Sequence, residues 1–312
     1  MSNELHIFWG KLHRDLRGNV TGLHLLTHHC ADVAACMETL LSKPNIRKRL
    51  AQSVGLADLT PTQVHRLCVL TAMHDFGKCS TGFQYKKELN PPFVAGHVAE
   101  VVRLFGSSAS EKGLVAKALG LHEMLSWAAD DGFLRLLIAA VCHHGKPVSC
   151  QSGNANPALW RPHGNISPLD GLTELAQCVR QWYPLAFQDT PTDLLPDDPA
   201  LQHAFSGLVM LADGLGSNEK FFPFSADNAD QRIIFARKQA ADNAKRFFLN
   251  PESALAALGP TLLSFSSQFS FPPRGVQTII DTIDLPASGS TVIVEAENGD
   301  SGTETVPPRE RG

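Results

Sequence analysis

The sequence predicts an all-α helical bundle with a metal site lodged between its helices, followed by a short C-terminal segment that begins an α/β unit. Three observations carry this prediction. Apolar residues recur at helical spacing over most of residues 20–225. No sustained alternation of apolar and polar residues interrupts them there. Thirteen histidines are present, several in adjacent pairs or beside aspartate, which places metal-ligating chemistry on and at the ends of apolar helices.

Composition bounds the rest. A chain of 312 residues suggests about two domains at ~150 residues each. With 43% hydrophobic and 19% charged residues it is globular, which excludes a disordered binding segment. Lys plus Arg (27) against Asp plus Glu (31) leaves a net charge of −4. That excludes a surface coated in phosphate-binding charge, although a local basic groove remains open. The seven cysteines are odd in number and contain no C-x-x-C pair, against both a disulfide framework and a thiolate zinc site. A reducing cytoplasm is the expected compartment. The first residues carry charge where a signal peptide needs an apolar core, and the run FLRLLIAAVC contains Arg135 and is too short to span a bilayer. No membrane partner is expected.

Taken in order, the segment Leu23–Leu41 reads as one helix whose apolar face includes His29, with Asp32 on the same side. A second helical period runs through Leu67, Leu70, Thr71 and His74 and stops at HDFGK, where Gly77 suits a helix stop. A third, through Leu134, Leu137, Ile138 and Val141, ends in His143-His144-Gly145. Residues 150–170 collect Gly, Asn, Pro and Ser without period and read as a long surface loop. The stretch AFSGLVMLADGLG places Asp213 on an otherwise apolar face. A lone carboxylate there must be paired, protonated or metal-bound. A further helix is expected over about 230–248, and after Pro272 a helix leads to one strand over Thr291–Val294. Imidazole and carboxylate without thiolate favour manganese, iron, cobalt, nickel or zinc and disfavour magnesium alone.

These residues resemble a known family, the HD-superfamily nuclease domain of the CRISPR-associated helicase-nuclease of type I systems. The resemblance is carried by FWGK (8–11), HLLTHHCADVAA (24–35), LTAMHDFGKCSTGFQ (70–84), His97, VCHHGKP (141–147) and LADGLGSNEKFFP (211–223). It implies an HD-domain helical bundle over residues 1–225, a helical connector over 226–272, and the start of a helicase domain with a disordered tail over 273–312. It implies two divalent ions, one held by His29, His74, Asp75 and Asp213, the second by His97, His143 and His144 with Asp75 bridging. His29 matches the first ligand because it stands in the H-x-x-D-V-A context, unlike His24 or His28. Asp75 is the implied catalytic carboxylate, and Lys78 would face the scissile phosphate. Gly214 departs from the family, which often carries tryptophan there. Two ions about 3.5–4 Å apart can hold the attacking and leaving oxygens of a displacement at phosphorus.

FPPRGVQTIID (271–281) resembles the entry to the family's helicase, with Gln277 as the adenine-reading residue. The phosphate loop that should follow is degenerate: Gly299, Gly302 and Thr303 remain, but Gly302 stands where lysine is required. No functional ATP site is expected. The resemblance therefore implies metal-dependent, ATP-independent hydrolysis of single-stranded DNA in CRISPR interference, an antiviral defence. The expected partners are the RNA-guided surveillance complex and, if the helicase is a separate polypeptide, that helicase. Lys146, Trp160 and Arg161, with His163, Lys86 and Lys87, are the candidate DNA contacts. Two alternatives stay open: an HD-type nucleotide or cyclic-nucleotide phosphohydrolase, and a catalytically silent module that binds the surveillance complex.

Overall fold

Thr60, Pro61 and Gln63 begin one of the central helices with a full set of start signals. The Thr60 hydroxyl accepts from the Gln63 backbone, the Gln63 side chain accepts from the Thr60 backbone, and Pro61 opens the first turn. In the computed structural model, which describes residues 7–145, 148, 154–188, 192–225, 228–246, 265 and 270–283, this helix is α3 (Pro61–Ala72). It packs against α1 (Leu26–Leu41), the long apolar helix at the centre of the bundle.

α1 carries fourteen buried residues, so it can only be surrounded. Its neighbours are α3, α10 (Pro199–Gly216) and α11 (Ala229–Arg246). The remaining helices wrap this centre: α2 (Pro44–Gln52), α4 (Thr81–Gln84), α5 (Val98–Phe105), α6 (Ser110–Ala118), α7 (Leu121–Met124), α8 (Gly132–Val141) and α9 (Pro168–Trp182). α8 lies against α10. A separate short helix, α12 (Gly275–Thr282), contains Gln277, which is buried and accepts from the Arg274 backbone at 2.8 Å. No described helix is long and apolar enough to cross a membrane.

The all-α prediction holds with one addition. An antiparallel hairpin, β1 (Trp9–Arg14) and β2 (Val20–Leu25), precedes α1. Leu23–Leu25 therefore belong to a strand and not to the helix that their spacing predicts, because β1 satisfies their backbone across the register Leu12–Leu23 and Lys11–His24. Three residues are too short a stretch to fix either period, and only the distant partner decides.

The bundle also extends past residue 225. Arg232 of α11 is fully buried and forms a two-pronged pair with Asp32 of α1, Nε to Oδ1 at 2.8 Å and Nη2 to Oδ2 at 2.6 Å. His24 completes the group at 3.0 Å from Asp32 Oδ2. Asp32, expected on the same side as His29, thus serves this clamp. Residues 150–153 lie outside the described residues; within the remainder of the expected 150–170 loop, Pro157–Trp160 form a turn of 3-10 helix and α9 begins at Pro168. The expected strand over 291–294 and the degenerate loop residues Gly299, Gly302 and Thr303 lie outside the described residues.

Candidate metal centre

α3 ends at Ala72, and the chain turns through Met73 so that His74 and Asp75 leave the helix end before a 3-10 turn over Phe76–Cys79. Gly77 is required there for a reason different from the expected helix stop. A Cβ on Gly77 would lie 2.0 Å from the His97 carbonyl oxygen and 2.8 Å from Val101 Cγ2, so the turn carrying Asp75 touches the backbone that carries His97. α8 stops at Val141 with Cys142 as its cap, so His143 and His144 stand in the turn just past the helix, and that turn closes on Gly145 in a left-handed conformation at φ +70°.

All seven residues expected at the site converge. His29 Nε2 lies 2.9 Å from Asp75 Oδ2 and 3.5 Å from Asp213 Oδ1. His74 Nε2 is 3.2 Å from Asp75 Oδ2 and 3.8 Å from Asp213 Oδ1. His143 Nε2 stands between the two carboxylates, 3.9 Å from Asp75 Oδ1 and 3.7 Å from Asp213 Oδ2. His97 Nε2 is 3.2 Å from Asp75 Oδ1 and 3.0 Å from His144 Nε2. Three overlapping triads result: His29, His74 and Asp75; His74, His143 and Asp213; His97, His143 and His144. In each, the ligand atoms lie within 4.8 Å of one another. His29, His74, Asp75 and His143 are buried, whereas His144 is exposed at the mouth.

Backbone carbonyls set the orientation of two rings. His74 Nδ1 donates to Thr71 O at 2.8 Å and His143 Nδ1 to Ala140 O at 3.0 Å. Each neutral ring therefore points an Nε2 lone pair into the pocket. Both Nε2 atoms and Asp75 Oδ1 are buried without a hydrogen-bond partner. Lone pairs facing carboxylate oxygens call for positive charge between them. The donor set, five imidazoles and two carboxylates with no thiolate, fits a borderline divalent ion.

The electrostatics are consistent with this demand. Burial, then the Lys78 ammonium, push His29 down to about 3, and burial with His74 beside it pushes His143 to about 4. Both rings stay neutral and free to ligate at pH 7. Burial would also lower His74, but the Asp75 and Asp213 carboxylates outweigh it and raise the ring above its ordinary value. Burial works against the charged form of Asp75, yet Lys78 and His74 overcome it and hold the carboxyl well below the usual range. Asp213 is lowered in the same way, against burial, by His74 and His29.

Lys78 is buried, with Nζ 2.5 Å from Asp75 Oδ2 and donating to Gly10 O at 3.1 Å. A clasp holds this arrangement. Gln84 accepts from the Trp9 backbone at 3.2 Å and donates to Trp9 O at 3.0 Å and to Lys78 O at 2.7 Å. The FWGK and GFQ segments thus meet in space. The sequence shows both segments but not this role; the signal lies in their joint presence. Nor does the sequence single out Lys11 and Ser217. Ser217 Oγ donates to Asp213 Oδ1 at 2.7 Å and Lys11 Nζ donates to Ser217 O at 3.2 Å. A Cβ on Gly214 would meet nothing within 4 Å, so Asp213 does not depend on a large side chain there.

The candidate DNA contacts fare differently. Trp160 is 1% exposed and packs at 6.4 Å from Phe76, which corrects its assignment: the ring is core and presents no face to a base. Arg161 is exposed, but its charge is matched by Glu111 at 2.7 Å. His163 lies against Tyr85, its Nδ1 2.5 Å from the hydroxyl. Lys86 sits over the Phe83 ring at 4.6 Å. Lys146 lies outside the described residues.

A helical bundle closed around a histidine–aspartate pocket, with the paired His74-Asp75 at its centre, defines an HD-type domain. The sequence matches the family described as "Cas3, HD domain" over residues 9–222, and the chain belongs to that family. It is 25% identical over 343 aligned positions to the CRISPR-associated endonuclease/helicase Cas3 of Escherichia coli (strain K12), an alignment that covers 96% of this chain and 36% of that relative. The chain thus spans about a third of the relative's length. A solved structure described as a CRISPR-associated protein superposes with a TM-score of 0.60 at 19% identity, covering 88% of this chain and 30% of that one. A chain in a CRISPR RNA-guided surveillance complex, pre-nicking, superposes at 0.50 and 22% identity, covering 80% and 29%. At these identities the likeness concerns the fold.

Proposed function

We propose that this chain is a metal-dependent nuclease that hydrolyses phosphodiester bonds of single-stranded DNA in CRISPR interference, without ATP. The observation that carries the reading is the pair of carbonyl-oriented rings, His74 and His143, whose Nε2 atoms face Asp75 and Asp213. His29, His74, Asp75 and Asp213 would hold one ion. His97, His143 and His144 would hold a second, with Asp75 between them. Manganese, iron, cobalt, nickel and zinc suit these donors better than magnesium. Such ions, when bound, lower the pKa of water from 15.7 towards about 7 and polarise a phosphoryl oxygen.

The protein's own groups do the rest. Thr71 O and Ala140 O fix two rings in the ligating tautomer. Burial keeps His29 and His143 unprotonated. Lys78 balances the charge of Asp75 with one N–H, gives a second to Gly10 O, and has its third left for a phosphoryl oxygen. The exposed side at His97 and His144 supports access by a flexible strand. An RNA-guided surveillance complex is the proposed partner, with a helicase supplied on the same or a separate polypeptide.

The test is incubation of the protein with circular single-stranded DNA and manganese, nickel or iron(II), beside dNTPs and cyclic dinucleotides. Cleavage of the circle by native protein and its loss in Asp75→Ala are expected. An inert native protein, equal cutting by the variant, or turnover of nucleotides alone would overturn the reading.

A further inference from the structure

Lysine has three N–H donors and no acceptor, so a lysine beside a carboxylate pocket is read by what its donors lack. The site has two such residues. Lys78 is enclosed, bonded to Asp75 and to Gly10 O. Lys11, one residue after that same Gly10, is only partly buried. Its ammonium makes one hydrogen bond, to Ser217 O at 3.2 Å, and no carboxylate lies within 4.0 Å of it among the described residues.

Lys11 nevertheless stands in the field of the site, since its neighbours in charge are Asp213, Lys78 and Asp75. Ser217, which it holds, donates in turn to Asp213 Oδ1 at 2.7 Å. His13, two residues along β1 and on the same strand face, reaches the adjacent Glu219 at 2.7 Å. The hairpin therefore lays one face across the C-terminal end of α10, and Lys11 is the member of that face that turns towards the carboxylates with two donors unused.

We infer that Lys11 is a substrate-binding residue, contacting a non-bridging oxygen of a phosphate on the strand held over the metal centre. The inference rests on the proposed nuclease reading. Lys78 neutralises Asp75 from inside the pocket; Lys11 meets the substrate from its rim. The alternative role, a plain partner for the Ser217 carbonyl just past the end of α10, predicts different measurements.

The experiment compares native protein with Lys11→Met and Lys11→Arg. Methionine keeps the apolar stem and removes the charge. Binding of a fluorescein-labelled single-stranded oligonucleotide is followed by anisotropy over a salt series, with calcium replacing the transition metal to suppress cutting. Manganese affinity and melting temperature are measured on the same samples. Lys11→Met is expected to bind DNA roughly tenfold more weakly, with the slope of log K against log salt reduced by about 0.7. Lys11→Arg should retain most binding, and all three proteins should bind manganese alike. Equal DNA affinity and salt slope in native and Lys11→Met protein would overturn the inference, as would a loss confined to melting temperature and manganese affinity. If native protein binds no DNA, the nuclease reading itself fails and takes this inference with it.

Discussion

Replacing Gly77 by alanine adds one carbon atom and should dismantle half of the metal centre. That Cβ would sit 2.0 Å from the His97 carbonyl oxygen, whereas real contacts essentially never fall below 3.0 Å. The His97 backbone must retreat by about 1 Å, since Val101 at 2.8 Å blocks escape to the other side. His97 reaches Asp75 Oδ1 at 3.2 Å and His144 at 3.0 Å, while ligand distances tolerate only about 0.2 Å. Overpacking of this kind costs about 1–3 kcal/mol of stability, and a misplaced ligand shell costs about 10–100-fold in metal affinity. A 1 Å displacement at the reacting groups adds up to about 10²-fold in rate. Manganese titration, thermal unfolding and cleavage of circular single-stranded DNA read these three effects. A Gly77→Ala protein that melts, binds manganese and cuts like the native one would refute the claim that the Asp75 turn and the His97 backbone are held in contact.

Gly214→Ala is the contrasting substitution: its Cβ meets nothing within 4 Å, so removing a helix glycine should stabilise by about 0.5–1 kcal/mol, read as a higher melting temperature with metal affinity unchanged. Arg232→Met leaves Asp32 buried beside His24 without its guanidinium; a loss of about 3–5 kcal/mol in urea unfolding is expected, partly recovered in Arg232→Met/Asp32→Leu. Chelator-treated protein should lose stability as pH falls from about 6.5, because the unfolded chain takes protons that His29 and His143, lowered to about 3 and about 4, refuse in the fold. Each group contributes up to roughly 1.4 kcal/mol per pH unit in that window. His74, raised, works in the opposite direction, so melting temperatures across pH 4–7 should follow the pair, and a rise on acidification would contradict the assignment.

Much of the site is legible in the sequence because its ligands sit where apolar periods stop. His74-Asp75 and His143-His144 follow helices whose buried faces are evident, and Asp213 is conspicuous on its apolar helix. What the sequence does not disclose is pairing over distance. Asp32 looks like a companion of His29 by spacing, yet Arg232, two hundred positions away, takes it. Trp160 lies in a stretch without period and reads as surface, but Phe76 and the core enclose it. Leu23 to Leu25 are too few to separate strand from helix without knowing that β1 lies alongside. Gly77 reads as a helix stop in the sequence, and only the approach of His97 gives its reason.

The seven converging side chains are expected to hold divalent metal. Anaerobic purification followed by elemental analysis and manganese titration measures this directly, on native protein and on Asp75→Ala. Two ions per chain are expected in the native protein, with the loss of at least one in the variant. A native protein that retains and binds no divalent metal above the level of the variant would contradict that expectation.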